Sequence, residues 1–186
     1  MKTTTADKTN RHQARTFLLA ALALCVAQSL SAQAPTQSTR DSVGRAVQRF
    51  YDWYLPRFAK PGTRDVMMLA ATNGPIPFDT VLVHWLRVDS TARARAKGEI
   101  DGLDGDPYLN TQDPCRAYTV KAIRPRGSDL LVDVLGHGGC AAHKTPDVTV
   151  ALGLVAERWT IKEFLAPDRH DEGVIPLLKL LHPKAR

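Results

Sequence analysis

Five side chains that carry oxygen ligands lie within a 13-residue segment of the chain. They are Asp101, Asp104, Asp106, Asn110 and Asp113. Calcium binds six to eight oxygen ligands of this kind. The spacing differs from that of an EF-hand loop, because Gly105 comes early and no glutamate closes the set. We therefore predict that this segment holds no metal and that these side chains fold an irregular loop through local hydrogen bonds.

Two cysteines and two histidines form a second candidate metal site. His137, Cys140 and His143 follow one another at intervals of three residues, and Cys115 adds a fourth ligand of the kind that zinc prefers. The competing interpretation is a disulfide between Cys115 and Cys140, which an oxidising compartment favours. We predict the disulfide, no metal, and His137 and His143 as ordinary loop residues.

A hairpin explains how the two cysteines meet. Gly127 and Ser128 have the composition of a two-residue turn, which places Arg126 opposite Asp129. The same register continued outward places Cys115 opposite Cys140 at a non-hydrogen-bonded pair, where Cα atoms approach to about 4.5 Å. That separation suits a disulfide. A bulge at one of the glycines 136, 138 and 139 would shift the register by one residue.

Nucleophilic and acid–base arrangements are sparse. No Gly-x-Ser-x-Gly motif occurs. His84 lies in a predicted helix, and Asp104 is the carboxylate that we consider as its acid–base partner. Arg93, Arg95 and Lys97 follow at the end of that helix, where we expect them to oppose the negative end of its dipole. We predict no catalytic residue and no cofactor.

The N-terminus has the pattern of an export signal. Residues 1–15 are polar and carry four basic side chains, and residues 17–27 are apolar and uncharged. Such a run is typical of a secretory signal and is too short to span a bilayer. We favour cleavage after Ala32, because cleavage after Ala34 would leave Pro35 beside the cut. Lipidation of Cys25 is the alternative, but Leu24 replaces the small residue expected before a lipidated cysteine.

The rest of the chain has a modest charge and no second membrane-length run. Half of the formal charge of +6 lies in residues 1–32, so the remainder has no nucleic-acid footprint. We expect a signal peptide at 1–32, a polar tether at 33–40 and one domain at 41–186. The mature protein is expected in the periplasm or outside the cell, and not as a membrane-spanning protein.

Helical periodicity dominates the first half of this domain. Val43, Val47, Phe50 and Tyr54 form one stripe of a helix from Asp41 to Tyr54, with Asp41 in its first turn and Pro56 ending it. A short helix is predicted at 65–72, and a longer one at 78–96. The longer helix is capped by Asp79 and turns four side chains inward, namely Leu82, Trp85, Leu86 and Val88.

Alternating residues dominate the second half. Strands are predicted at 115–124, 129–135, 147–155 and 158–165, with a tight turn at Ala156-Glu157 and a terminal helix at 174–181. The fold class is therefore α+β, with N-terminal helices packed on one face of a four-stranded antiparallel sheet and a short C-terminal helix.

Three segments carry a resemblance to a known family: the aromatic run 50–55, the loop 102–114 and the late motif 159–161. The chain resembles the bacterial domain of unknown function 3828 family of exported envelope proteins, most specifically at 106–113. The resemblance implies a nuclear transport factor two-like or cystatin-like superfold, in which a curved antiparallel sheet cradles the helices around a cone-shaped cavity. Trp85 is then expected against the concave sheet face beside Val150 or Leu152. The residues that we assign to a candidate ligand pocket are Tyr54, His84, Trp85, Tyr108, Gln112, Asp113 and Trp159.

Fold does not supply function by itself, and the resemblance implies no activity. Our leading hypothesis is an exported, non-catalytic binding module of the bacterial envelope, whose partner is an envelope protein or a small molecule. A small periplasmic hydrolase or isomerase that uses the cone-shaped pocket is the first alternative. An immunity or inhibitor protein is the second.

Overall fold

The structure is a computed structural model that describes residues 35–60, 65–96, 102–140, 144–167 and 172–185. Its helices are α1 (Gln37–Phe58), α2 (Val66–Asn73), α3 (Thr80–Arg95) and α4 (Val174–Leu181). Its strands are β1 (Ala117–Arg126), β2 (Asp129–His137), β3 (Val148–Val155), β4 (Arg158–Ala166) and β5 (Glu172–Gly173). Among the described residues, none of the helices is both long and apolar enough to cross a membrane.

Helix α1 is longer at both ends than its sequence pattern indicates. It begins at Gln37, where the Thr36 hydroxyl accepts the Thr39 N–H at 3.2 Å, so Asp41 lies beyond the first turn. Pro56 does not end the helix, which continues to Phe58. Proline leaves only the Asp52 carbonyl without its helical donor, and Asp52 is exposed to water.

The predicted apolar stripe of α1 is confirmed, with one addition. Val43, Val47, Phe50 and Tyr54 are all buried. Tyr51, which is not part of the predicted stripe, is also fully buried. Its ring stacks on Tyr118 of β1 with a centroid distance of 5.6 Å, because α1 packs along that strand.

Helix α3 confirms its predicted cap but not all of its inward face. The Asp79 carboxylate accepts the Val81 N–H at 2.8 Å. The buried residues of the helix are Leu82, Leu86 and Asp89. Trp85 and Val88 are only partly buried, contrary to the prediction, because both lie to one side of the stripe that Leu82, Leu86 and Asp89 form. Trp85 instead faces α4, with the Lys179 ammonium 5.9 Å from its ring centroid.

The sheet has five antiparallel strands in the order β1-β2-β3-β4-β5, one more than predicted. The additional strand consists of two residues, too few for alternation to be visible in a sequence, and pairs with the end of β4. The turn at Gly127-Ser128 connects β1 to β2 as predicted. Ala156 and Glu157 both have positive φ, 47° and 62°, as a tight type I′ turn between β3 and β4 requires.

The disulfide between Cys115 and Cys140 is confirmed, but the strand register from which we predicted it is not the observed one. From Arg126 opposite Asp129 to Ala122 opposite Asp133 the expected pairing holds. A bulge at Lys121 then shifts the pairing by one residue, on the strand opposite the glycines where we expected it. Both cysteines lie beyond the ladder, and their Cα atoms are 5.0 Å apart. Gly138 and Gly139, with φ of 70° and 82°, turn the chain back so that Cys140 reaches Cys115.

All four helices contribute to one hydrophobic core on a single face of the sheet. The sheet residues of this core include Val132, Val150, Ile161 and Phe164. A smaller apolar cluster of Leu131, Ala151 and Leu165 lies on the other face. The α+β class and the packing of helices on one main face therefore agree with the sequence prediction.

Candidate ligand cavities

Asp106 anchors the loop that precedes the sheet. One carboxylate oxygen, Oδ1, accepts the backbone N–H groups of Tyr108 and Leu109 at 2.8 and 3.2 Å. The other oxygen, Oδ2, accepts the hydroxyl of Tyr54 on α1. Burial raises the pKa of Asp106 to about 6. The carboxylate thus accepts three hydrogen bonds from the protein, which is the arrangement of a structural capping group.

Buried tyrosines attach the same loop to the helices. The Tyr51 hydroxyl donates to the Tyr108 carbonyl at 2.9 Å, and the Tyr108 hydroxyl donates to the Met67 carbonyl at 3.0 Å. The Tyr108 ring lies 4.6 Å from that of Phe164, centroid to centroid. Burial raises the pKa of Tyr51 and of Tyr108 above the usual range, so both hydroxyls stay protonated donors.

The acidic segment makes these local hydrogen bonds rather than presenting its oxygens together. Asp106 is buried, whereas Asp104 and Asp113 are exposed. The Gln112 amide donates to the Asp104 carbonyl at 2.6 Å. Asp101 lies outside the described residues. In the described part of the chain, no group of three or more His, Cys, Asp or Glu residues is placed to hold a metal ion.

The disulfide removes the two thiolates that the candidate zinc site would need as ligands. Cys115 and Cys140 are bonded to each other, and His137 Nε2 lies 2.6 Å from the Thr119 hydroxyl oxygen. His143 lies outside the described residues.

The residues assigned from the sequence to one pocket are dispersed. Tyr54 and Tyr108 are buried in the core, and Trp85 and Trp159 are half-buried. Gln112, His84 and Asp113 line three different cavities.

The acid–base pair considered from the sequence is also separated. His84 lines one cavity and Asp104 lines another. The two side chains therefore do not face a common substrate space.

A cavity of about 340 Å³ lies between the loop 102–112, the end of β4, β5 and α4; we call it the loop cavity. Its apolar lining includes Leu103, Phe164, Leu165, Val174, Leu177 and Leu181. Its polar lining includes Asp104, Asp106, Asn110, Thr111, Gln112 and Glu172. An apolar wall facing a few polar groups is the usual composition of a small-molecule site.

Glu163 positions α4 along one wall of the loop cavity. Gly173, the residue before α4, has no side chain to cap the helix, and the oxygens of the Glu163 carboxylate accept the Ile175 N–H at 3.1 and 3.2 Å instead. It also accepts the Phe164 N–H at 3.0 Å. Burial raises the pKa of Glu163 to about 7. Sequence reasoning missed this residue; the available signal was a helix start with no Ser, Thr, Asp or Asn before it.

A second cavity, of about 720 Å³, lies between α3 and residues 181–185; we call it the cationic cleft. Its described lining includes five basic or histidine side chains and no carboxylate: His84, Arg87, Arg95, His182 and Lys184. Its remaining lining residues are Val88, Thr91, Ala92, Leu181, Pro183 and Ala185.

Asp89 of α3 connects the two cavities. Its carboxylate accepts the Leu103 N–H at 3.0 Å, the Arg93 Nε–H at 2.8 Å and His182 Nε2 at 3.1 Å. Leu103 lines the loop cavity and His182 lines the cationic cleft. Gly102, with φ of 115°, passes so close that a Cβ there would collide with the Asp89 carboxylate. An aspartate on the buried stripe of an amphipathic helix was the signal for this site, and sequence reasoning missed it.

No family model, no curated protein and no solved structure matches this chain. The resemblance to the domain of unknown function 3828 family therefore stays a prediction. The fold defines an α+β domain with two cavities beside its C-terminal helix.

Proposed function

We propose that this protein is an exported, non-catalytic binding module and that the loop cavity holds a small ligand with an apolar body. The observation that carries the proposal is the cavity of about 340 Å³, whose apolar wall faces polar groups of the loop 102–112. Cavities of roughly 300–1,000 Å³ with that composition are typical of small-molecule sites.

The titratable groups around the cavity favour binding over turnover. Burial raises the pKa values of Asp106 and Glu163, as is common for catalytic carboxyls, but the oxygens of both side chains accept hydrogen bonds from the protein. Asp106 accepts three hydrogen bonds, and Glu163 accepts the N–H groups of Phe164 and Ile175. A general base needs an oxygen within reach of the substrate proton. The hydrolase alternative also lacks its pair, since His84 and Asp104 line separate cavities.

Export is supported by two independent features. The disulfide between Cys115 and Cys140 fits an oxidising compartment. Residues 1–27 combine basic and apolar runs in the order of a secretory signal. The proposed site of action is therefore the periplasm or the extracellular space, with a small apolar molecule of the envelope as the ligand.

A neutral fluorescent probe tests the cavity. N-phenyl-1-naphthylamine is uncharged and brightens on entering an apolar site, so the purified protein is expected to bind it with saturation. Leu177→Trp should reduce binding by filling the cavity, and Leu177→Gln should reduce it by making the wall polar at nearly constant volume. Leu180→Trp is the matched control, because Leu180 is on the same helix but is 74% exposed.

Two results would contradict this proposal. One is the absence of saturable fluorescence with the unaltered protein. The other is equal binding by the Leu177 and Leu180 variants, which would place the probe elsewhere on the surface. Thermal melting of each variant checks that loss of binding is not loss of fold.

A further inference from the structure

The cationic cleft collects positive charge from two walls. His84, Arg87, Thr91 and Arg95 follow one another at intervals of three, four and four residues, so they lie on one face of α3. The opposite wall is the segment 181–185, which contributes Lys184. The core-facing stripe of α3 is Leu82, Leu86 and Asp89, and the cationic face is separate from it.

The charge in the cleft is not neutralised by the described parts of the protein. Asp89 is the one acidic residue of α3, and its carboxylate is buried and pairs with Arg93 and His182. Within the described residues, the side chains of Arg87, Arg95 and Lys184 form no ion pair and no hydrogen bond. Charges of one sign that line a concave site between low-dielectric walls focus the electric field there.

We propose that the cationic cleft is a binding site for a phosphate monoester with a small apolar substituent. Three permanent cations match a phosphate monoester, which carries about −1.5 to −2 at pH 7, better than a single carboxylate. Guanidinium groups bind phosphate oxygens in a bidentate manner, and lysine adds a point charge. The proposal concerns a second site and does not depend on the occupant of the loop cavity.

The rest of the lining explains the apolar substituent. The apolar part of the lining consists of Val88, Ala92, Leu181, Pro183 and Ala185. The cleft, at about 720 Å³, has room for considerably more than inorganic phosphate. Thr91 does not add a donor, since its hydroxyl donates to the Arg87 carbonyl at 2.8 Å.

One wall of the cleft is held in place before any ligand arrives. The His182 side chain is 9% exposed and bonds to Asp89 at 3.1 Å, which fixes the start of the segment 182–185 against α3. Binding to a wall that is already ordered avoids part of the entropy cost of association.

Phenyl phosphate is the probe for a soluble ligand. Isothermal titration calorimetry of the purified protein at low salt is expected to show saturable binding that weakens with added salt. Phenol, which lacks the phosphate, is expected not to bind. The double variant Arg87→Gln, Arg95→Gln should weaken phenyl phosphate binding by about tenfold or more for each arginine, because charge-assisted hydrogen bonds are lost.

A matched control separates a site from a general charge effect. Arg45→Gln, Arg49→Gln removes the same charge from exposed positions on α1. This control is expected to bind phenyl phosphate like the unaltered protein. Equal losses of phenyl phosphate affinity in the two double variants would overturn the proposal. Normal phenyl phosphate binding by the Arg87→Gln, Arg95→Gln variant would also overturn it. Both double variants should keep their N-phenyl-1-naphthylamine binding, so the two cavities are tested independently.

Vesicles test a lipid source of the same chemistry. Phosphatidic acid carries a phosphate monoester headgroup, so sedimentation with phosphatidylcholine vesicles is compared with and without it. If the protein co-sediments only with vesicles that contain phosphatidic acid, and the Arg87→Gln, Arg95→Gln variant does not co-sediment, the monoester is assigned to a lipid. Binding of phenyl phosphate without co-sedimentation assigns it to a soluble molecule. Binding of neither probe would overturn the proposal.

Discussion

Replacing Asp89 by alanine should destabilise the domain much more than the loss of an exposed carboxylate from a helix surface. The Asp89 side chain is 1% exposed and accepts hydrogen bonds from Leu103, Arg93 and His182. Its removal leaves the Leu103 N–H and the His182 ring as partly buried donors without their acceptor. Breaking a buried ion pair by removing one partner costs about 3–5 kcal/mol. Arg93 remains 33% exposed and can be solvated, so we expect about 3–4 kcal/mol for Asp89→Ala.

Urea unfolding followed by circular dichroism measures this difference in the free energy of unfolding. In a domain of about 150 residues, 1 kcal/mol corresponds to about 2–4 °C, so the melting temperature should fall by roughly 6–16 °C. Asp89→Asn should cost less, because the amide oxygen still accepts the Leu103 N–H. The control is Asp52→Ala, an exposed carboxylate bonded to Gln48, which should change stability by less than about 0.5 kcal/mol.

A double-mutant cycle tests whether the stability lost in Asp89→Ala comes from its contact with His182, which begins the C-terminal wall of the cationic cleft. Asp89→Ala and His182→Ala should be non-additive by about 1 kcal/mol or more, as contacting residues in one network are. Asp89→Ala should also weaken the binding of both probes, N-phenyl-1-naphthylamine and phenyl phosphate, because Asp89 joins the walls of the two cavities. A cost below about 1 kcal/mol, or strict additivity with His182→Ala, would refute the assignment of Asp89 as a connecting residue.

Two further predictions concern the disulfide and the cap of α4. Thiol titration of the unreduced, denatured mature protein should find no thiol from Cys115 or Cys140, and Cys115→Ser with Cys140→Ser should lower stability by about 2–5 kcal/mol; two free thiols would contradict the bond. The pKa of Glu163 is raised to about 7 from an ordinary value of 4.5, so the folded state binds this proton more tightly than the unfolded state. The stabilisation that Glu163 contributes through this proton is therefore fully present below about pH 4.5 and is lost as the pH rises through about 7. The free energy of unfolding should fall with pH over this range, and the slope should flatten in Glu163→Gln. The slope should be unchanged in the control Glu157→Gln, which alters an exposed turn residue.

Local patterns in the sequence predicted the elements of the fold because each pattern involves neighbours along the chain. The stripe from Val43 to Tyr54, the cap at Asp79 and the helix 174–181 depend only on 3.6-residue periodicity and on the first turn of a helix. Alternation located the four main strands to within two residues of their observed bounds. The pairing of Cys115 with Cys140 was also correct, although the bulge at Lys121 shows that the register argument behind it was not.

The sites were decided by tertiary structure, because their members are remote in sequence. Asp89 is one polar residue in an amphipathic helix until Leu103, 14 residues away, and His182, 93 residues away, are placed against it. Tyr51 is buried because β1 and the loop before it pack on α1, and Glu163 caps α4 because β4 ends beside that helix. Sequence alone predicted the helices, the four main strands and the class of fold, and it carries the pattern on which the export prediction rests. The cavities, and the carboxylates that hold their walls, required the burial and hydrogen-bond partners that only the packed chain provides.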